Sequence, residues 1–135
     1  MYINQVVVPI TPPLFIATPT VTRAPESFVT DAQKLEEQGR ISQAIQAYRD
    51  AVQADPKNAS NYIALARLQI YSNDYQNGLT NIENALLLNP NNSIALALRG
   101  WVKGFLGDWL DAESSLKEAI RLDQNNAVAY AYYAE

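Results

Sequence analysis

From residue 25 onward the chain repeats itself at a fixed step of about 34 residues, the size of a stacking helix-turn-helix unit. The tetrapeptides DPKN (55–58), NPNN (89–92) and DQNN (123–126) fall in register, which aligns Asn58, Asn92 and Asn126. Ala51, Ala85 and Ala119 follow the same step, as do Phe28, Tyr62, Leu96 and Tyr130. Two helical patterns fit in each period. A unit of that size cannot bury its apolar face alone, so neighbouring copies must stack and share one continuous core.

The punctuation within each period is physical. Gly39, Asn73 and Gly107 stand where a first helix must end in a left-handed residue. Arg40-Ile41, Asp74-Tyr75 and Asp108-Trp109 then open a second helix with an apolar anchor, and Pro56 and Pro90 stop that helix. The spacing predicts helices over 27–38, 42–54, 60–72, 76–88, 94–106 and 110–122, with another from 128 to the end.

Residues 25–135 resemble the tetratricopeptide repeat family on a specific set of positions. Phe28, Ala32 and Leu35, then Ala44, Tyr48, Ala51 and Pro56, carry the family's alternation of large and small residues. The second copy reads Tyr62, Leu65, Ala66, Gly78, Ile82, Ala85 and Pro90, and the third Leu96, Gly100, Ala112, Leu116 and Ala119. Asp31 and Arg99 depart from the usual Leu, and Gln124 from the usual Pro. The resemblance implies an all-α, right-handed superhelical solenoid. Its repeats are expected at 25–58, 59–92 and 93–126, with the first helix of a fourth at 127–135, and an extended Pro/Thr-rich segment at 1–24 in front of them.

It also implies a concave groove lined by the first helix of each pair. Among the positions so implied, Ile63, Arg67, Ile70, Tyr71, Ile94, Leu98, Trp101, Gly104 and Phe105 are the candidate partner contacts. Peptide-binding members that serve chaperones hold a terminal carboxylate with Lys, Arg and Asn. The corresponding residues here are Val29, Gln33, Ala64, Ile94 and Leu98, which can form no such clamp. An apolar, aromatic groove suits an extended apolar peptide better.

Composition narrows the function classes. The 135 residues include no Cys and no His, and the net charge is −4. That removes thiolate and imidazole chemistry and any basic field for nucleic acid. The acids at Glu36-Glu37 and at Asp108, Asp111 and Glu113 read as solvated surface groups. Neither an enzyme, nor a cofactor or metal site, nor a small-molecule substrate is expected, and no apolar run reaches the roughly 18 residues of a membrane span.

The segment VVVPITPPLFIATPTVT (6–22) is apolar, yet Pro9, Pro12, Pro13 and Pro19 exclude a helix. It is expected to lie in a groove, its own or a neighbour's, with Val6, Val8, Leu14, Phe15 and Ile16 as anchors. At the other end, Tyr130, Tyr132 and Tyr133 are expected on an open face of the solenoid. The expected function is a protein-interaction scaffold that assembles head to tail with other copies of itself. The alternative is an adaptor domain of a longer surface-anchored protein. The Pro/Thr segment resembles surface-protein stalks and points to a cell-surface, bacterial-type location.

Overall fold

The computed structural model describes residues 23–134, so the segment containing Val6, Val8, Leu14, Phe15 and Ile16 lies outside the described residues. Seven helices follow in order: α1 (Pro25–Glu37), α2 (Ile41–Ala54), α3 (Ala59–Tyr71), α4 (Tyr75–Leu88), α5 (Ser93–Phe105), α6 (Trp109–Leu122) and α7 (Ala127–Tyr133). They start one or two residues before the spans the spacing predicts. α1 starts earliest relative to expectation, because Pro25 occupies the first helical position, where its missing N–H costs nothing.

The first helices of the three hairpins, α1, α3 and α5, end in the same way. Gly39 (φ 72°), Asn73 (φ 65°) and Gly107 (φ 84°) are all left-handed. The amides that follow them reach back across the turn, Arg40 to the Leu35 carbonyl at 2.8 Å, Asp74 to Gln69 at 2.8 Å and Asp108 to Lys103 at 2.9 Å. These bonds satisfy carbonyls the helix ends would otherwise leave open. At the other boundary, the side chains of Asn58, Asn92 and Asn126 accept from the amides of Ser60, Ala95 and Ala129 at 3.0, 2.9 and 3.0 Å. The repeated Asn is thus an N-cap.

The turns between repeats do not depend on proline. Asp55, Asn89 and Asp123 stand at one register position in successive repeats, and each accepts from the amide two residues on with its own side chain, at 3.4, 3.3 and 3.0 Å. This side-chain turn forms equally well before Pro56, Pro90 and Gln124, which explains why the departure at Gln124 leaves the boundary intact. The other two departures are also accounted for. Asp31 pairs with Arg23. Arg99 ties α4 to α6, donating to Glu83 at 2.9 Å and to the Ser115 hydroxyl at 2.7 Å.

Helices pack as hairpins (α1 with α2, α3 with α4, α5 with α6), and each second helix then packs on the following first helix. The first helices also meet one another, α3 with α5 and α5 with α7, whereas the second helices show no comparable mutual packing. The array therefore curves with α1, α3, α5 and α7 on its inner side. Small residues set the closest approach within a hairpin: Ala32 and Ala44 are fully buried in one cluster, and Ala66 and Ile70 share the next with Ile82. In the third hairpin a Cβ on Gly100 would come within 2.5 Å of Leu116 Cγ and 2.9 Å of the Ala112 carbonyl oxygen.

That contact makes Gly100→Ala destabilising. Helix propensity returns about 1 kcal/mol, but relieving the overlap costs about 1–3 kcal/mol. Gly104→Ala is the matched control, since its Cβ would meet only Trp109, at 3.6 Å. Urea unfolding followed by circular dichroism should move the two midpoints in opposite directions.

Candidate partner-binding surface

The inner face changes chemistry along its length. Between the first two hairpins it is ionic: Arg67 on α3 holds both carboxylate oxygens of Glu36 on α1, at 2.8 and 3.0 Å. The buried Tyr48 hydroxyl donates to the same carboxylate at 3.4 Å. Burial first, and then the nearby Glu36 charge, raise the Tyr48 pKa above the ordinary tyrosine range. Arg67 is the one cation among the groove positions singled out above, and it is already committed to Glu36.

From α3 onward the face is aromatic. Tyr71 meets Trp101 edge-on with ring centroids 5.3 Å apart, and Trp101 stacks on Tyr132 at 4.6 Å. Phe105 branches from this row, edge-on to Trp101 at 5.4 Å and stacked on Tyr75 of α4 at 4.9 Å. Three successive first helices each contribute one ring to the row. Tyr71 and Phe105 keep more than half their surface in water, at 59% and 53%.

Two of the expected groove residues are not on that surface. Ile70 and Leu98 are buried in the core cluster with Ala66, Ile82, Ala85, Ala95 and Val102. Ile70 lies one residue before Tyr71, about 100° round the helix, whereas Leu98, three residues before Trp101, is only about 60° from it and is buried because Trp101 itself packs over that cluster. Ile63 and Trp101 pack partly against the same core, and Ile94 is exposed at the start of α5. Tyr132, expected on the open end, turns inward onto Trp101. Tyr130 and Tyr133 are about half exposed.

The row runs into a cavity of about 500 Å³ between α5, α6 and α7. Gly100, Trp101, Gly104 and Phe105 line it from α5, and Trp109, Ala112, Glu113 and Leu116 from α6; Tyr132 and Tyr133 close one side. The α6 contribution is not among the positions the sequence implies for the groove, where Trp109 is only a helix anchor. A signal for it exists: Trp109 is the register partner of Tyr75, and Gly104 stands where the preceding repeat has Ile70. The only charged lining group is Glu113, which Lys117 neutralises at 2.7 Å and whose carboxyl is held below the usual range by that hydrogen bond. Among the described residues no group of three or more Asp and Glu could hold a metal ion, and no helix is long and apolar enough to cross a membrane.

Comparison with known proteins agrees with this geometry. The tetratricopeptide repeat family model matches residues 35–102. Cellulose synthase operon protein C of Pseudomonas fluorescens (strain SBW25) is 35% identical over 88 residues, which cover 64% of this chain but 7% of that much longer protein. Among solved structures, the first tetratricopeptide domain of Spaghetti (RPAP3), bound to an HSP90 peptide, superposes with a TM-score of 0.78 at 21% identity, covering 82% of this chain and 88% of that one. The corresponding domain of Sgt2 from Aspergillus fumigatus gives 0.77 at 17% identity, over 84% and 76% of the two chains. A tetratricopeptide repeat protein from Parabacteroides merdae gives 0.76 at 20% identity, over 87% of this chain and 46% of that one.

The Tyr48–Glu36–Arg67 group yields a pH dependence. A tyrosine whose folded pKa is raised contributes stability that is fully present below its unfolded pKa of about 10 and is lost as pH rises through the folded value. Spectrophotometric titration should therefore show a tyrosine ionisation above the ordinary range, and Tyr48→Phe should remove it. With three stacked hairpins and a further helix among the described residues, an aromatic inner face and a family match over half its length, the chain belongs to the tetratricopeptide repeat family.

Proposed function

We propose that this chain is a non-catalytic protein-interaction scaffold that holds its partner on the aromatic inner face running from Tyr71 through Trp101 to the cavity beside Trp109. The observation that carries this reading is the exposure of those rings: Tyr71 and Phe105 in the row and Trp109 at its end stay 53–70% accessible. Exposed apolar area of that kind on a folded domain is a recognition surface. The ionic end of the groove does not offer the alternative of gripping a peptide terminus. Arg67 already has both oxygens of Glu36, and Val29, Gln33, Ala64 and Ile94 supply no charge there. The HSP90 peptide held by the RPAP3 domain therefore has no carboxylate-dependent counterpart here.

Calorimetry with an acidic peptide ending in EEVD, free and amidated, tests the last point. Both forms are expected to bind equally weakly, and a loss of about tenfold or more on amidation, some 1.4 kcal/mol, would reassign the groove. Trp101 and Trp109 are the chain's two tryptophans and both sit on the surface in question, so their fluorescence should report any partner that docks there. A partner that binds without changing that emission is bound elsewhere.

Head-to-tail self-assembly is the second reading. It is favoured by the apolar side chains left open at the last hairpin, Trp109 (70% exposed) and Leu110 (82%), and by the absence of any charged side chain from residues 1–22. A heterologous contact of that kind, where its rotation does not close a ring, propagates into a filament or tube. Sedimentation of the full chain and of a variant lacking residues 1–22 checks it: the full chain should assemble and the shortened one stay monomeric with its helicity intact. A full chain that sediments as a monomer at tens of micromolar, as an order of magnitude for weak contacts, rules this second reading out.

A further inference from the structure

Residues 1–22 carry no charged side chain, and four of the fourteen residues from Val6 to Pro19 are prolines. Proline favours the polyproline form, which has little backbone entropy left to lose and leaves its carbonyls unclaimed by the segment itself. The inner face of the solenoid offers the complementary chemistry. Tyr71 and Phe105 stand more than half exposed beside Trp101, and polyproline segments dock in aromatic-lined grooves. On the same face Arg67 makes both of its bonds to Glu36 from Nη2, and its Nε is a buried donor with no acceptor among the described residues. Tyr71 belongs to the second hairpin, which has another hairpin packed on either side. Its exposure is therefore a property of the curved face and not of an end of the array.

Reach allows the segment to lie on the face of its own chain. A returning second helix stands between each first helix and the next, so α1, α3 and α5 run in the same direction. With a rise of about 1.5 Å per residue along a helix and about 10 Å between neighbouring first helices, Tyr71, Trp101 and Phe105 lie roughly 20–27 Å from Arg23. About eight to eleven residues of polyproline chain, at about 3.1 Å each, span about 25–34 Å. Counted back from Arg23, that length ends at Pro12, Pro13, Leu14 and Phe15. The path crosses the pair of Glu36 with Arg67, where the carboxylate charge is already compensated.

We propose that residues 6–16 occupy the aromatic inner face of their own chain, with Pro12, Pro13 and Phe15 against Tyr71, Trp101 and Phe105, and screen that face until a partner displaces them. The proposal rests on the reading that this face binds a protein, and it adds the regulation: the chain carries its own competitor. Tethering favours this segment over the same segment of a second copy. A short flexible linker gives an effective concentration on the order of 1 mM, which a separate chain in dilute solution does not approach. If the free segment has a Kd of about 100 μM, the tethered one is bound about nine-tenths of the time and weakens a competing partner roughly tenfold.

The test uses the full chain. Trp109→Phe leaves Trp101 as the one tryptophan, and in that background Leu14→Asp together with Phe15→Asp removes apolar contacts of the segment without shortening the chain. Opening the face should shift Trp101 emission to the red while circular dichroism stays unchanged. A fluorescein-labelled peptide of residues 5–17, QVVVPITPPLFIA, should bind the doubly substituted chain roughly tenfold more tightly than the parent by anisotropy. Tyr71→Ala, at an exposed position, should weaken that binding. Because the contact lies within one chain, the difference should persist unchanged over a roughly hundredfold range of chain concentration, with a monomer in sedimentation. Equal affinity of the peptide for the parent and the doubly substituted chain overturns the proposal and leaves the protein-binding reading standing. Tighter binding that Tyr71→Ala does not weaken places the segment on another surface and overturns it too. A difference that grows with chain concentration, in step with an oligomer, assigns the segment to a neighbour's face, which also overturns it. If the peptide binds neither chain the proposal falls, and the protein-binding reading falls with it when no partner changes the tryptophan emission.

Discussion

The close approach of the two helices within each hairpin is the constraint on which the rest of the structure depends. Ala32 and Ala44, Ala66 and Gly78, and Gly100 and Ala112 occupy corresponding places in the three hairpins, at the same spacing each time. The glycine changes sides between the second and third hairpins, from α4 to α5, and in both cases a Cβ would overlap the partner helix. Each hairpin accommodates at most one or two methyl groups at that crossing, so helix spacing is held nearly constant along the array. Constant spacing is what lets a second helix seat the next first helix in the same way each time, and so lets the curvature accumulate.

Curvature in turn decides which residues can act on a partner. With the first helices on the inside, their side chains converge and those of the second helices spread apart. Rings from α3, α5 and α7 therefore meet although a whole second helix separates each from the next in the chain (Tyr71 to Trp101, Trp101 to Tyr132). Phe105, the branch of that row, stands one period after Tyr71, but the three rings that form the row do not follow the register of the repeat. The row runs diagonally across the helices, so that Trp101 lies where the preceding repeat has Arg67, and the ionic and aromatic halves of the groove are produced by different residues at equivalent places.

The polar interactions divide by burial. Arg99 is partly shielded and reaches two helices at once, through Glu83 and Ser115, and so fixes how α4 and α6 sit around α5. The pairs Lys117–Glu113 and Arg121–Glu118 lie within one helix in open solvent, where such pairs add little to stability. In the second repeat, where Arg67, Asp74 and Glu83 are the only charged side chains between residues 59 and 92, neutral groups do comparable work: Asn81 donates to Gln69 at 2.7 Å, joining α3 to α4 without a charge. The scarcity of charge there is thus met inside the hairpin by amide pairing.

What the sequence by itself determined was everything that depends on neighbours along the chain. Helix ends at Gly39, Asn73 and Gly107, N-caps at Asn58, Asn92 and Asn126, and the repeat period are local in origin, because each is a choice of backbone angle or a hydrogen bond spanning little more than one helical turn. The period then dictates stacking, since one unit cannot bury its own apolar face. Which apolar residues stay exposed was decided only in three dimensions. Ile70 and Tyr71 are adjacent and both apolar, yet one is 1% and the other 59% exposed; the difference is which side of α3 the next hairpin covers. The cavity beside Trp109 was likewise decided by packing. The register shows that Gly104 replaces Ile70 and Trp109 replaces Tyr75, but only the meeting of α5, α6 and α7 brings those side chains round one space, because contacts between helices far apart in the chain leave no mark on the period.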